Sequence, residues 1–134
     1  MSPMRSITVR VVRPSEMDVA KSFIRSVFPD AMVQVTDDDT LLLAEFDGRM
    51  VGFAHIVDDG EKILLQGIGV DKSMRGQGVG TILLEHILDT LADTERPIFL
   101  KVKAMNSAID LYSRYGFMLK KFGDVHVLVK RANS

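Results

Sequence analysis

The stretch that decides the fold runs from residue 68 to residue 88 and reads IGVDKSMRGQGVGTILLEHIL. It opens with a strand-like segment, passes through glycines at positions 76, 78 and 80, and ends in a leucine-rich segment. The residues after the loop that recur at the spacing of one helix face are Gly80, Leu83, Leu84, Ile87, Leu88 and Leu91. The stretch therefore predicts a strand, a glycine-rich loop and the start of an amphipathic helix.

A glycine-rich loop ahead of a helix suits an anion. The first N–H groups of a helix lack partners within it, and the helix dipole adds positive charge there. Glycines at 76, 78 and 80 let the main chain approach a pyrophosphate without interference from Cβ atoms, and Arg75 can add a charge-assisted contact. The alternative is that the glycines only make a tight connection between strand and helix. We expect the loop to bind a diphosphate.

The spacing fits neither of the two familiar nucleotide-binding loops. A Walker loop needs G-x-x-x-x-G-K-[ST], and no Lys-Ser or Lys-Thr pair closes this loop. A dinucleotide-binding loop needs G-x-G-x-x-G after the first strand of a βαβ unit, whereas this loop reads G-x-G-x-G after apparently antiparallel strands. The pattern disfavours ATP hydrolysis and a dinucleotide-binding domain.

The segments before the loop predict strands and one helix. Residues 7–12 alternate as a strand does, and Ser15 is the predicted N-cap of a helix with Asp18 as its capping-box acid. The acidic run at residues 37–39 is predicted to lie in a solvated loop without chemistry, although it could also attract a cationic amine such as a polyamine or lysine. Asp47-Gly48 predicts a hairpin turn between two strands. The inward face of the first helix is predicted to carry Ala20, Phe23, Ile24, Val27 and Phe28.

The remaining segments complete a mixed α/β order. Residues 63–70 predict a strand whose internal glycines mark a bulge or a close backbone approach. Residues 97–103 and 125–130 predict two further strands, with a short helix between them that ends at Gly116. The sequence therefore predicts a sheet covered by helices. The short helix is predicted to turn inward Ala108, Ile109, Leu111, Tyr112 and Tyr115.

Composition narrows the class of protein. The 134 residues predict one domain spanning residues 1–134, and 17 basic against 18 acidic residues disfavour nucleic acid or an anionic membrane as partner. The absence of cysteine excludes disulfides, thiolate metal sites and a cysteine nucleophile, and three scattered histidines make no metal-ligand pattern. No signal-like start and no apolar run of ~20 residues are visible, which favours a cytoplasmic protein.

Two motifs together resemble those of the GCN5-related N-acetyltransferases (GNAT). In that family [QR]-x-x-G-x-[GA] opens the helix that cradles the pyrophosphate of coenzyme A, and here Arg75, Gly78 and Gly80 fill the fixed positions. The later NSAIDLYSRYGF, residues 106–117, resembles the family's following motif, an Asn with A-I-x-L-Y and a Gly-Phe pair. The resemblance covers the element order of the whole chain. It implies the GNAT fold, a mixed and mostly antiparallel sheet of six to seven strands, splayed at its centre and flanked by helices.

The resemblance also implies an activity and a site. It implies an enzyme that transfers acetyl from acetyl-CoA directly to a primary amine on a protein or a small molecule, with Tyr112 as general acid. The phenol has an ordinary pKa of ~10, above the ~8.5 of a thiol. The N–H of Ile68 would contact the developing oxyanion, and the pantetheine arm would pair with the backbone as an added strand. The implied co-substrate contacts are Ile68, Gly69, Val70, Arg75, Gly76, Gln77, Gly78, Val79, Gly80, Thr81 and Asn106.

The implied roles of Tyr112 and Asn106 each have an alternative interpretation. Tyr112 could be a core tyrosine with its hydroxyl at the rim. Asn106 lies six residues before Tyr112, whereas seven is usual in the family, so Asn106 either contacts the co-substrate across a shorter turn or only caps the helix.

The general base is unassigned. Some relatives that acetylate protein N-termini carry a glutamate on the strand before this turn, but Leu100 and Lys101 occupy the corresponding positions here. The candidates are His55, Glu45 and Gln66, the last as a water holder, while His55 could also be a strand histidine satisfied by a neighbour. His86 is expected to be exposed, and His126 could face either way.

Three functions therefore stay open. The leading one is the N-acetyltransferase. The second is a coenzyme A-binding sensing module without turnover, prompted by the missing carboxylate, and the third is an unrelated phosphate-binding domain. The amine acceptor is not determined by the sequence, and a homodimer is compatible with it.

Overall fold

The structure is a computed structural model that describes residues 7–29, 34–36, 39–103 and 109–131. Short 3₁₀ turns occupy Pro14–Glu16 and Lys72–Met74. Within the described ranges the strands and α-helices, in chain order, are β1 (Thr8–Val11), α1 (Met17–Val27), β2 (Thr40–Phe46), β3 (Arg49–Asp58), β4 (Ile63–Val70), α2 (Val79–Thr90), β5 (Ile98–Lys103), α3 (Ile109–Arg114), β6 (Met118–Lys121) and β7 (Val125–Lys130).

The seven strands form one sheet in the order β1-β2-β3-β4-β5-β7-β6. Every pairing is antiparallel except that of β4 with β5, which is parallel. This parallel pairing runs only from Ile63 opposite Ile98 to Leu65 opposite Leu100. Beyond Leu65, β4 stays paired with β3 but no longer with β5, so the sheet splays at its centre, as the resemblance implied.

Helices cover both faces of the sheet. On one face, α2 and α3 pack on a core that includes Leu42, Leu65 and Leu100. On the other face, α1 packs Ala20 and Ile24 against strand residues that include Phe53. We call these the α2 face and the α1 face. Side chains of one strand alternate between them, as expected of a sheet buried on both sides. The predicted mixed fold is confirmed.

The predicted strip of apolar residues on α2 is confirmed with one change. Leu83, Leu84 and Ile87 are fully buried, and Leu88 and Leu91 are partly buried against the same core. Val79, rather than Gly80, takes the first inward position, because it lies one turn before Leu83 on the same helix face.

The predicted start of the first helix is wrong in detail. Pro14 begins a 3₁₀ turn, and α1 follows at Met17. Ser15 is therefore inside the turn and is no N-cap, while the Glu16 carboxylate accepts the Arg13 N–H at 2.9 Å. Proline has no N–H and a fixed φ that suits the first helical position, so the chain turns helical before Ser15.

The glycines of β4 serve both predicted purposes. A bulge separates the pair His55 with Gly67 from the pair Ile56 with Leu65, which leaves Gln66 as the extra residue. At Gly69 a Cβ atom would lie 2.5 Å from the ring of Phe53, so the backbone there is in close contact with the α1 face. The bulge lies where β4 leaves β5.

The Asp47-Gly48 hairpin is confirmed, and one strand was missed. Asp47 and Gly48 have φ of 52° and 75°, as a two-residue turn of the mirror-image type requires. The missed strand is β6, whose four residues are all exposed at the sheet edge and show no alternation. Among the described helices, none is long and apolar enough to cross a membrane.

Candidate active site

Beyond Leu65, no described strand lies beside the edge of β4 that faces β5. Residues 66–70 face the gap, and Ile68, Gly69 and Val70 pair on their other side with Ala54, Phe53 and Gly52 of β3. An extended ligand that entered the gap would find backbone groups of β4 arranged as a sheet edge.

The loop that follows β4 is held by its own turns. The Asp71 carboxylate accepts the Ser73 N–H at 3.2 Å and also binds the Ser73 hydroxyl. Gly76 and Gly78 then adopt φ of 77° and 85°, in the left-handed region. A Cβ atom at either glycine would meet no other atom within 4 Å, so glycine is required there for its backbone conformation and not for space.

A group of backbone N–H donors is open at this loop. The first bond of α2 runs from the Ile82 N–H to the Gly78 carbonyl at 3.0 Å. Gln77 donates its N–H to Met74 at 3.3 Å, so that amide is occupied within the loop. In the described part of the chain, no protein acceptor binds the N–H groups of Gly76, Gly78, Val79, Gly80 and Thr81.

Arg75 contributes a cation beside these donors. Its Nε donates to the Val70 carbonyl at 3.3 Å, which ties the guanidinium group to the end of β4 next to the gap. The open N–H groups, the α2 dipole and this cation all favour a bound anion. The structure thus brings together the predicted residues 68–70 and 75–81.

Tyr112 lies on α3 in the core of the α2 face. The residue is only 5% exposed, and its ring packs edge to face on Phe117 with centroids 6.2 Å apart. Its hydroxyl has no hydrogen-bond partner among the described residues. Because no described side-chain N or O atom is both buried and without a partner, the hydroxyl must reach accessible space. Burial raises the pKa of Tyr112 above its ordinary value, so the phenol keeps its proton at neutral pH.

Two sequence predictions in this region lie outside the described residues. These are the co-substrate contact of Asn106 and the inward position of Ala108. Gly116, the predicted end of the helix, has φ of 93° and therefore adopts the left-handed conformation of a helix stop.

Of the three candidate bases, Glu45 is already bound in an ion pair with Arg10. Its carboxylate accepts the Arg10 Nε at 2.7 Å, and Arg10 also binds Glu16 at 2.6 Å. Glu45 lies opposite Thr8 of β1, at the far side of the sheet from the gap. Gln66 is the exposed residue of the β4 bulge.

His55, the third candidate, is buried and has a charged partner. Its Nε2 lies 2.8 Å from Asp39 Oδ2, and the two side chains are 8% and 6% exposed. The predicted solvated position of the acidic run is therefore wrong for Asp39, while Asp37 and Asp38 lie outside the described residues. Three identical residues in a row give no sign of which one turns inward. The burial of Asp39 could have been predicted from the hairpin register. This register places Leu41 opposite His55 and so brings the start of β2 near the His55 ring.

Asp39 stays ionised. Burial works to raise its pKa, but hydrogen bonds from His55 and Thr36 outweigh it and hold the pKa below the ordinary value. Thr36 donates its N–H at 3.2 Å and its hydroxyl at 3.0 Å. A carboxylate only accepts hydrogen bonds, so the Nε2 of His55 carries a proton toward Asp39. In the neutral ring the lone pair is then on Nδ1.

The other two histidines have separate surroundings. His86 is exposed on α2, as expected. His126 is buried, accepts the Gly123 N–H on Nδ1 at 3.3 Å and lies 4.6 Å from the Phe122 ring. No group of three His, Asp or Glu residues in the described ranges is placed to hold a metal ion.

Comparison with known proteins gives a family match and two kinds of relative. The model of the acetyltransferase (GNAT) family matches residues 13–117. A mycothiol acetyltransferase of Clavibacter sepedonicus is 38% identical over 84 residues, which are 60% of this chain and 28% of that protein. This chain thus spans little more than a quarter of that relative.

Solved structures share the fold over nearly the full chain. The ribosomal-protein-S18-alanine N-acetyltransferase from Escherichia coli superposes with a TM-score of 0.83 at 20% identity, covering 96% of each chain. Arabidopsis thaliana Naa50, solved with the bisubstrate analogue CoA-Ac-MVNAL, superposes with a TM-score of 0.76 at 22% identity, covering 93% of this chain and 98% of that one.

Proposed function

This chain belongs to the acetyltransferase (GNAT) family, and we propose that it transfers the acetyl group of acetyl-CoA to a primary amine by direct attack in a ternary complex. The observation that carries the proposal is the gap between β4 and β5, which leads directly to the open N–H groups before α2. The family match favours catalysis over a module that only binds coenzyme A.

Separate parts of the proposed site would bind the pyrophosphate and the pantetheine arm of the co-substrate. The loop at residues 76–81 and the guanidinium group of Arg75 would hold the pyrophosphate, whose charge matches the open amides. The pantetheine arm would extend along Ile68–Val70 as an added strand in the gap. The thioester would then lie beside Ile68, next to the bulge.

The chemistry follows from the groups around that position. The amine nitrogen attacks the thioester carbon, and the negative charge that develops on oxygen is stabilised by the Ile68 N–H. The C–S bond then breaks, and the thiolate takes a proton from Tyr112. Burial raises the pKa of Tyr112, so the phenol is protonated at neutral pH and its proton is present when the thiolate forms.

Peptide N-termini are the first acceptors to test. One structural neighbour is named for an alanine of ribosomal protein S18, and another was solved with an analogue that joins coenzyme A to a peptide. Lysine side chains and polyamines present the same primary amine and belong in the same panel.

Two measurements test the proposal. Isothermal titration with coenzyme A and with acetyl-CoA measures binding, and thiol release from acetyl-CoA measures transfer to peptides that begin with alanine or methionine, Nα-acetyllysine amide and spermidine. Binding together with amine-dependent thiol release is expected. Binding without release from any amine would contradict transfer, and failure to bind either coenzyme would contradict the site itself.

A further inference from the structure

The buried pair of His55 and Asp39 has no part in the steps above, yet it lies beside the reacting strand. We propose that His55 is the general base that takes a proton from the acceptor amine and that Asp39 is its positioning residue. This inference rests on the proposed acetyl transfer. It supplies the base that the sequence left unassigned.

The first support is the place of His55 in the sheet. His55 lies directly opposite Gly67, next to Ile68, whose N–H is the proposed oxyanion contact. It also lies two residues beyond Phe53, which packs on the α1 face, so both side chains point to that face. Tyr112 packs in the core of the α2 face. The proposed acid and base therefore belong to opposite faces of the sheet.

The second support is the space next to the ring. Gly67 presents no side chain, and among the described residues a Cβ atom there would have only the Phe53 ring nearby, at 3.5 Å. At Gly69, by contrast, Phe53, Phe28 and Val27 already fill the position at 2.5–2.9 Å. In the described ranges, the part of β4 that has space on the α1 face is thus the part beside His55.

The third support is how the ring is held. Nε2 is anchored to Asp39, which Thr36 holds in turn. Nδ1 has no hydrogen-bond partner among the described residues, and none of their buried side-chain nitrogens lacks one, so Nδ1 is accessible. One nitrogen oriented by a carboxylate and the other open is the arrangement of a histidine base.

The protons balance in this scheme. Nδ1 takes one proton from the substrate ammonium ion, directly or through one water, and passes it to solvent. The neutral amine then attacks. The tetrahedral nitrogen loses a second proton, which replaces the one that Tyr112 gives to the thiolate. The products are the acetylated amine, coenzyme A with a free thiol and one released proton.

The test compares His55→Gln with His86→Gln, a matched substitution of an exposed histidine outside the site. The substrate is the best amine of the panel, or water in acetyl-CoA hydrolysis if no amine is acetylated. At pH 7 we expect kcat/KM of His55→Gln to fall about 100-fold, the usual size of general-base catalysis. With an amine, the deficit should shrink at pH above ~8–10, where the amine loses its proton without help.

Asp39→Asn separates positioning from a purely structural role. Asp39 is the one charged group that forms an ion pair with the ring in the described part of the chain, and the residues paired with His55 in β2 and β4 are Leu41 and Gly67. We expect kcat to fall about tenfold with the KM for acetyl-CoA unchanged, since the imidazole stays present but loses its fixed orientation.

The outcomes are separable. A His55→Gln variant that binds coenzyme A normally and retains wild-type kcat/KM at pH 7 would overturn the inference. With an amine substrate, a deficit that is the same at every pH would overturn it as well. Coenzyme binding by titration reports on the proposed function and not on the base. A variant that fails to fold is replaced by His55→Asn, and melting temperature and coenzyme affinity are measured for both.

Discussion

Two single side chains, the proposed acid Tyr112 and the proposed base His55, lie on opposite faces of the sheet. Tyr112 combines a buried ring with a hydroxyl that reaches accessible space, and burial keeps its proton in place. A proton donor needs an accessible hydroxyl that is protonated. A tyrosine that only fills the core needs a buried ring and no accessible hydroxyl.

Replacement of the phenol tests this difference. Tyr112→Phe is expected to lower kcat about 100-fold while the affinity for coenzyme A stays the same, because the ring packing on Phe117 is kept and only the proton donor is lost. Tyr115→Phe is the matched control, since that hydroxyl interacts with Glu85 on α2. Steady-state kinetics and titration check both variants, and an unchanged kcat in Tyr112→Phe would favour the core-tyrosine alternative.

A substitution in the glycine loop tests whether its glycines bind an anion or only connect β4 to α2. Gly80 has an ordinary helical place in α2, and a Cβ atom there would meet only Val70, at 3.8 Å. Gly80→Ala should therefore stabilise the fold by up to ~1 kcal/mol and yet weaken coenzyme A binding, because the methyl group would intrude on the pyrophosphate. Unfolding and titration measure the two effects. Unchanged affinity in the more stable variant would mean that the loop only connects strand to helix.

Among the elements, β4 carries the tightest constraint on the fold. A Cβ atom at Gly69 would lie 2.5 Å from the Phe53 ring and 2.9 Å from Phe28 and Val27. Gly69→Ala is expected to cost about 1–3 kcal/mol of unfolding free energy, since that ring is fixed in the core of the α1 face. Gly67→Ala, two residues earlier, meets Phe53 at an ordinary 3.5 Å and should change stability by less than ~1 kcal/mol. Urea unfolding compares the pair, and equal losses would contradict the reading of Gly69 as a close approach.

Helices and strands with a periodic apolar pattern could be predicted from the sequence. The edge strand β6 and the burial of Asp39 depend on tertiary contacts and could not be predicted from a local pattern. The leucine spacing of α2 and the Asp47-Gly48 turn are local signals with one physical cause each, and both were read correctly. The edge strand β6 is exposed throughout, so it lacks the alternation that burial of one face imposes. Asp39 was misread because its burial depends on strand register.

The site shows the same division. The loop at residues 75–81, which we propose binds the pyrophosphate, could be found because its glycines stand at a fixed local spacing, whereas the pair of His55 and Asp39 joins residues 16 positions apart. The sequence motif thus locates the residues proposed to contact the co-substrate. The residues proposed to face the acceptor come from separate segments and carry no local pattern.

For the molecule as a whole, several carboxylates favour the folded state only while ionised. Hydrogen bonds from Arg10 and Arg13 lower the pKa of Glu16 to about 2, and bonds from Lys62 and Glu61 lower that of Asp59 to about 2. A depressed pKa in the folded state stabilises the protein above the unfolded value of ~4 and loses this contribution as the pH falls toward 2. The melting temperature should therefore be constant from pH 7 to about 5 and drop steadily below it. A melting temperature at pH 3 equal to that at pH 7 would contradict this.

Only three residue pairs join β4 to β5, so two antiparallel blocks meet along a short parallel seam in the middle of the protein. Where the seam ends, β4 has an interior edge whose peptide groups pair with no described strand, and such edges favour pairing with an extended chain. A bound pantetheine would act as the missing rung and close that opening. The supply of acetyl-CoA would then govern how firmly the two blocks are held together as well as how fast the enzyme turns over.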